Sequence, residues 1–200
     1  MSADDRALYA AVLRKSRASA EAQQRFFESQ GERVVACARA LAAAFERGAR
    51  LFAFGNGGSA CDAEHMAVEF AHPIVEKRRA LPAMVLGSGR ALLTAVGNDQ
   101  DFALAYAREL AALARAGDIA VGISTSGQSR NVVRALEAAR ELQLLRVGLT
   151  GRDGGALAAE CEHLFVVESF SIHRIQEVHG ALLHVLWDLV HVALGEEDVL

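Results

Sequence analysis

Residues 118–141 read DIAVGISTSGQSRNVVRALEAARE, and the change of period inside this stretch decides the fold. The opening DIAVGI is an almost unbroken apolar run, the pattern of a strand buried on both faces. From about residue 129 the apolar positions recur at helical spacing instead. Between the two lies STSGQS, a turn of small polar residues around Gly127. A buried strand passing through a tight polar loop into a helix is the repeating unit of a parallel α/β sheet.

The same unit recurs outward in both directions. RLFAF (50–54), AMVL (83–86), RVGLT (146–150) and HLFVV (163–167) are short apolar runs bounded by Gly, Pro, Ser or Asp. Helical patterns separate them, over about 58–71, 101–115 and 129–143, a short one near 154–160, and a long last one near 172–194. The first 50 residues hold no proline and read as helix, with Gly31 and Gly48 as punctuation. The expectation is one doubly wound α/β domain with right-handed crossovers. Residues 1–48 form its helical N-terminal extension and residues 49–200 its ligand-binding body. Ile175, Val178, Leu182, Leu186, Leu189 and Val190 make an ordinary core-facing stripe on the last helix. The N-terminal helices carry apolar surface to spare, which points to a second subunit.

Composition excludes several classes. The 200 residues are 52% hydrophobic with a formal net charge of -4, and lysine and arginine are scattered among acids, so no nucleic-acid partner is expected. Cys37, Cys61 and Cys161 show no close spacing, which suits a reduced, cytoplasmic protein. The start, MSADDRALYAAVLRKS, lacks a signal-peptide core. The longest apolar run, ALLHVLWDLVHVAL, is interrupted by His184, Asp188 and His191 and falls short of the ~18 residues of a membrane span.

Two loops carry chemistry. In 124–129, the hydroxyls of Ser124, Thr125, Ser126 and Ser129 and the N–H groups of the following helix suit a phosphate monoester. There is no lysine in the loop, so it is not a Walker A motif. The plainer alternative is a serine-rich loop with Ser129 as helix cap. The second loop lies in FGNGGSACDAEH, residues 54–65. Gly55, Gly57 and Ala60 match a dinucleotide fingerprint, but the acid at the expected distance, Glu76, precedes the next strand, so a dinucleotide is not expected. The helix that follows places His65 and Glu69 one turn apart on one face, as metal ligands or an acid–base pair sit, or simply as a surface hydrogen bond. RIQEVHGALLHVL then packs Gln176, Glu177, His179 and His184 into one apolar helix.

Taken in order, GNGGSACDAEHMAVEF, AVGND, GISTSGQSRNV, LTGRDGG and RIQEVHGALLHVL resemble the bacterial phosphoheptose isomerases of the sugar isomerase (SIS) domain superfamily, over roughly residues 30–195. The resemblance implies a flavodoxin-like five-stranded parallel sheet with flanking helices, with residues 49–200 as a phosphosugar-binding SIS domain. It also implies a homotetramer with active sites at subunit interfaces. The implied reaction converts sedoheptulose 7-phosphate to D-glycero-D-manno-heptose 7-phosphate through an enediolate. Substrate contacts are implied at Asn56, Gly57, Gly58, Ser59, Glu69, Asn98, Asp99, Ser124, Thr125, Ser126, Ser129 and Gln176. One zinc ion per subunit is implied on His65, Glu69, Gln176 and His184, with Glu69 and His184 as the acid–base pair. Gln176 and His184 are eight positions apart, about 12 Å along one straight helix. Either Gln176 precedes the regular helix, or two subunits share the site. An arginine common in the family falls on Pro73, leaving Arg78 or Arg79 to replace it. The competing expectation is a non-catalytic SIS protein, either a replication initiator-associating factor or a phosphosugar-sensing regulator. The presence of both Glu69 and His184 favours the enzyme.

Overall fold

The computed structural model describes residues 1–75 and 77–198, so the fingerprint acid Glu76 lies outside the described residues. Five parallel strands form one sheet: β1 (Leu51–Gly55), β2 (Ala83–Val85), β3 (Ile119–Ser124), β4 (Leu145–Gly151) and β5 (His163–Val167), in the order β2-β1-β3-β4-β5. This is the flavodoxin-like parallel order expected from the sequence. β1 and β3 are buried at every position, because helices cover both faces of the sheet.

Successive side chains of one strand feed two separate cores. Leu51 and Ala53 join the core built by α1 (Ala3–Glu46), α2 (Gly58–Ala71) and α6 (Ile172–Ala193). Phe52 and Phe54 join the opposite core, under α4 (Ala105–Leu113) and α5 (Arg130–Glu141). Full burial of a phenylalanine side chain contributes ~1.5–3 kcal/mol each, so these alternating residues hold the layers together.

The N-terminal 46 residues differ from the expectation in one respect. Gly31 does not punctuate: α1 is one helix of 44 residues running through it. A glycine inside a helix costs only about 1 kcal/mol relative to alanine. Burial of Phe26, Val34, Cys37, Ala38 and Leu41 on either side of it outweighs that. Gly48 does terminate the helix. Its φ of +84° is left-handed, and the paired bonds Gly48 N–H to Phe45 O and Ala49 N–H to Ala44 O form a Schellman motif.

On the other face, α3 (Arg90–Asp99) precedes the expected helix, and the region 101–115 splits into a 3-10 turn at Phe102–Leu104 followed by α4. Asp101 starts that turn by accepting the Ala103 N–H at 2.8 Å. The expected helix near 154–160 is likewise a 3-10 turn, Gly155–Ala159. Among the described residues no helix is long and apolar enough to cross a membrane.

Candidate active site

Strand order places the site. β1 has β2 on one side and β3 on the other, so the chain leaves the C-terminal ends of β1 and β3 in divergent directions and opens a crevice between them. Gly55 pairs with Ile123 in the sheet, which puts the loop after β1 beside the loop after β3. A Cβ at Gly55 would come within 2.6 Å of the Ser59 carbonyl oxygen and 2.9 Å of that of Ile123. Only glycine allows β1 to turn into α2 in contact with β3. Gly57 follows with φ +56°, and the turn closes through Ser59 N–H to Asn56 O at 3.0 Å.

The loop after β3 is a hydroxyl-lined turn. Ser124 Oγ lies 2.9 Å from Ser129 Oγ and 3.4 Å from Ser126 Oγ, while the Gln128 N–H donates to Ser126 Oγ. Thr125, half-buried, completes the turn. Ser129 occupies the cap position of α5, yet its side chain makes no cap bond. The cap alternative therefore does not account for its hydroxyl, which faces Ser124. The first N–H groups of a helix have no partner within it, so three serine hydroxyls and the positive end of α5 converge on one point, the chemistry of an anion cradle. Arg130 adds no charge there: its guanidinium pairs with Asp101 at 3.3 Å. The cradle is buttressed from the loop and 3-10 turn that follow β4. Gly127 has φ +65°, and a Cβ on it would overlap the Gly154 carbonyl, while Leu157 N–H donates to Gly127 O at 3.1 Å.

His65 and Glu69 of α2 meet His184 of α6. His65 Nε2 lies 3.2 Å from Glu69 Oε1 and 3.1 Å from His184 Nε2, and His184 Nε2 lies 3.9 Å from the same carboxylate oxygen. Three lone-pair-bearing atoms this close call for a shared proton or a cation between them. Donor atoms on a tetrahedron of ~2.1 Å radius stand about 3.4 Å apart, so this trio has the spacing and the donor chemistry of a zinc site. Glu69 is largely buried and His184 is more than half exposed, so the trio borders solvent.

Gln176 lies elsewhere. It is within α6, so it does not precede the regular helix. A Cβ at Gly58 would overlap its carboxamide, which places Gln176 at the head of α2 beside the loop, about two turns from His184. Asn98 and Asp99 end α3, exposed, with Asn98 Nδ2 donating to Asp99 Oδ1 at 2.7 Å. Ser59 is buried at the start of α2. Within the protomer both Arg78 and Arg79 are engaged at the end of α6. Arg78 is buried over the Trp187 ring and bonded to Asp188 at 2.5 Å, and Arg79 pairs with Glu196 at 3.3 Å. The buried His179 bonds the Thr150 carbonyl at 3.2 Å, and burial pushes its pKa down to about 4.

The structure adds two residues with no sequence signal for a role at the site, Asn131 and Tyr106. Asn131 exchanges two 2.8 Å hydrogen bonds with Asn56, and the Tyr106 hydroxyl donates to the Gly55 carbonyl with its oxygen 3.2 Å from Asn56 Oδ1. A polar residue in a first helical turn reads as solvent-facing; only the 3% exposure of Asn131 reveals otherwise.

Known proteins fit this arrangement. The SIS domain family model matches residues 16–151. The phosphoheptose isomerase of Nitratidesulfovibrio vulgaris (strain DSM 19637 / Miyazaki F) is 42% identical over 185 residues, covering 92% of this chain and 89% of that protein. The phosphoheptose isomerase of Aquifex aeolicus is 42% identical over 182 residues, covering 91% and 95%. The solved phosphoheptose isomerase of Neisseria gonorrhoeae superposes with a TM-score of 0.85 at 37% identity, covering 92% of this chain and 98% of its own. The strand–loop–helix site at the switch point, the length of the match and its level of identity agree: the chain belongs to the phosphoheptose isomerase family of SIS-domain enzymes.

Proposed function

We propose that this isomerase converts sedoheptulose 7-phosphate to D-glycero-D-manno-heptose 7-phosphate, and that the convergence of Glu69 and His184 from two helices carries the reaction. The Ser124–Ser129 cradle takes the phosphate, so binding energy at the far end of the sugar orients C1 and C2. Glu69 removes the C1 proton of the ketose and returns it to C2. His184 moves the O1 proton to O2, which leaves the C1 carbonyl of the aldose. Asn56, Gly57, Gly58, Ser59, Asn98, Asp99 and Gln176 contact the sugar in this reading.

His65, Glu69 and His184 would hold one zinc ion, which as a Lewis acid would supply positive charge where the enediolate oxygens develop theirs. Within one protomer the trio lies two to three turns of α2 from the loop, which favours a site completed across protomers. A homotetramer with interface active sites would bring a second copy's Gln176 to the trio. Large exposed apolar groups support such a partner: Leu8 and Val12 on α1 are 67% and 59% exposed, and Phe170 before α6 is 84% exposed.

Turnover of sedoheptulose 7-phosphate in deuterated water tests the proposal. Deuterium appearing at C2 of the aldose is expected. Binding of the sugar phosphate without exchange or turnover would instead identify a phosphosugar sensor.

A further inference from the structure

Asn56 and Asn131 form a closed pair of side-chain amides, oriented by the Val132 N–H that Asn131 Oδ1 shares with the Ser129 carbonyl. Val132 N–H donates to Asn131 Oδ1 at 3.0 Å, so that atom is the oxygen. Asn131 Nδ2 therefore donates to Asn56 Oδ1, and Asn56 Nδ2 donates back, each at 2.8 Å. The Tyr106 hydroxyl, itself buried, donates its one proton to the Gly55 carbonyl, and its oxygen lies 3.2 Å from Asn56 Oδ1. By donor and acceptor count, Asn56 Oδ1 accepts from the Asn131 amide, and among the described residues one Asn56 N–H is left over. The pair ties the loop that starts α2 to the first turn of α5, two residues after the cradle serine Ser129.

We propose that Asn131 is a positioning residue: it holds the Asn56 carboxamide in one orientation and so fixes the sugar-receiving loop relative to the phosphate cradle. Its substrate sense rests on the isomerase reading above. The carboxamide of Asn56 is then an oriented donor that offers its remaining N–H to the substrate, and that orientation exists only while Asn131 is present. Phosphate alone contacts the cradle and is indifferent to the clasp; a phosphosugar, which must span cradle and loop, is not.

The test compares the unaltered chain with Asn131→Leu, which keeps the branching of the side chain but removes its hydrogen-bonding atoms, and with Asn56→Ala and the double variant. Turnover of sedoheptulose 7-phosphate and calorimetric affinity for inorganic phosphate are read for each. Asn131→Leu should lower kcat/KM at least tenfold and leave phosphate affinity within twofold, which also shows that the variant is folded. Asn56→Ala should cost less than twofold more once Asn131 is already leucine. If the leucine variant does not fold, Asn131→Ser removes the same clasp without crowding. A kcat/KM within threefold of the unaltered chain overturns the proposal. So does a parallel loss of phosphate affinity in a folded variant, or a double variant in which both losses multiply in full. An unaltered chain that turns over no phosphosugar would sink the isomerase reading instead. The clasp is then judged on sedoheptulose 7-phosphate affinity: a fall with phosphate affinity kept supports it, and no change or a parallel fall refutes it.

Discussion

His184 Nε2 of α6 stands 3.1 Å from His65 Nε2 of α2, although 119 positions separate the two residues in the chain. Their rings meet edge to face, with centroids 4.8 Å apart, and Glu69 closes the third side. Two imidazole nitrogens at this distance repel unless a proton or a cation lies between them, so the pair is a place where charge is handled.

Metal should follow from that geometry. After incubation with zinc and dialysis, the chain should retain about one ion per protomer by mass spectrometry, and His65→Ala and His184→Ala should each lose it. A ligand at 100 times its dissociation constant stabilises by about 2.7 kcal/mol, so zinc should raise Tm in the unaltered chain and leave both variants unmoved. Retention of zinc by both variants would place the metal elsewhere.

Glu69→Gln keeps the volume of the side chain and removes its basicity. General acid–base catalysis contributes roughly 10²–10⁴-fold, so both Glu69→Gln and His184→Ala should lower kcat by at least about 100-fold. Neither residue belongs to the Ser124–Ser129 turn, and affinity for inorganic phosphate should stay unchanged in both. Near-normal kcat in either variant removes that residue from the proposed chemistry.

Two glycines should respond in opposite directions to alanine. Gly127 has φ +65° with the Gly154 backbone against it, so Gly127→Ala meets left-handed strain of about 1–2 kcal/mol together with a backbone clash, and phosphate affinity should fall at least tenfold. Gly31 lies within α1 with nothing within 4 Å of an added Cβ, so Gly31→Ala should stabilise by up to about 1 kcal/mol in urea unfolding. Retained phosphate affinity in Gly127→Ala would mean that the turn after β4 does not shape the cradle.

The buried His179 sets a pH dependence of stability. Burial pushes its pKa down from 6.5 to about 4, partly opposed by its bond to the Thr150 carbonyl. Burial also lowers His191. An unfolded histidine takes up its proton near pH 6.5 while the folded one resists until about pH 4. The unfolded state thus binds more protons across that window. Stability is complete above pH 6.5 and declines as pH falls toward 4, by up to about 1.4 kcal/mol per unit for one site. Urea midpoints across this range should show the decline, and His179→Leu should flatten it by about one proton. An unchanged slope in that variant assigns the dependence to other groups.

Arg78 is sealed between the Trp187 ring and Asp188 at the end of α6. Removing one partner of a buried pair leaves the other charge uncompensated, at a cost of about 3–5 kcal/mol. Asp188→Ala should lose that much in urea unfolding, nearly independently of salt. A loss under about 1 kcal/mol would show the guanidinium to be hydrated in solution.

The central strands β1 and β3 were legible because a strand buried on both faces must be apolar throughout: LFAF and IAVGI leave no polar position to read otherwise. α2, α5 and α6 were legible because each turns one apolar stripe to the sheet. α3 was not, since within the protomer it buries only Val96 and carries no continuous core-facing stripe. Gly31 was misread for a related reason: propensity is a local quantity of about 1 kcal/mol, and packing on both sides of the glycine exceeds it.

The site divides along the same line. The sequence by itself determined the chemical inventory: a serine-rich turn before a helix, an i,i+4 His–Glu pair, and an imidazole in the last helix, each set by local spacing and by motifs that resemble one family. Only the tertiary structure decided which of these meet. It brought His184 to His65 and Glu69, placed Gln176 two turns away beside Gly58, took Arg78 and Arg79 to the end of α6, and joined Asn131 to Asn56 across 75 positions. Contacts of that range depend on strand order and helix register, which arise from burying both faces of one sheet at once and leave no mark at any single residue.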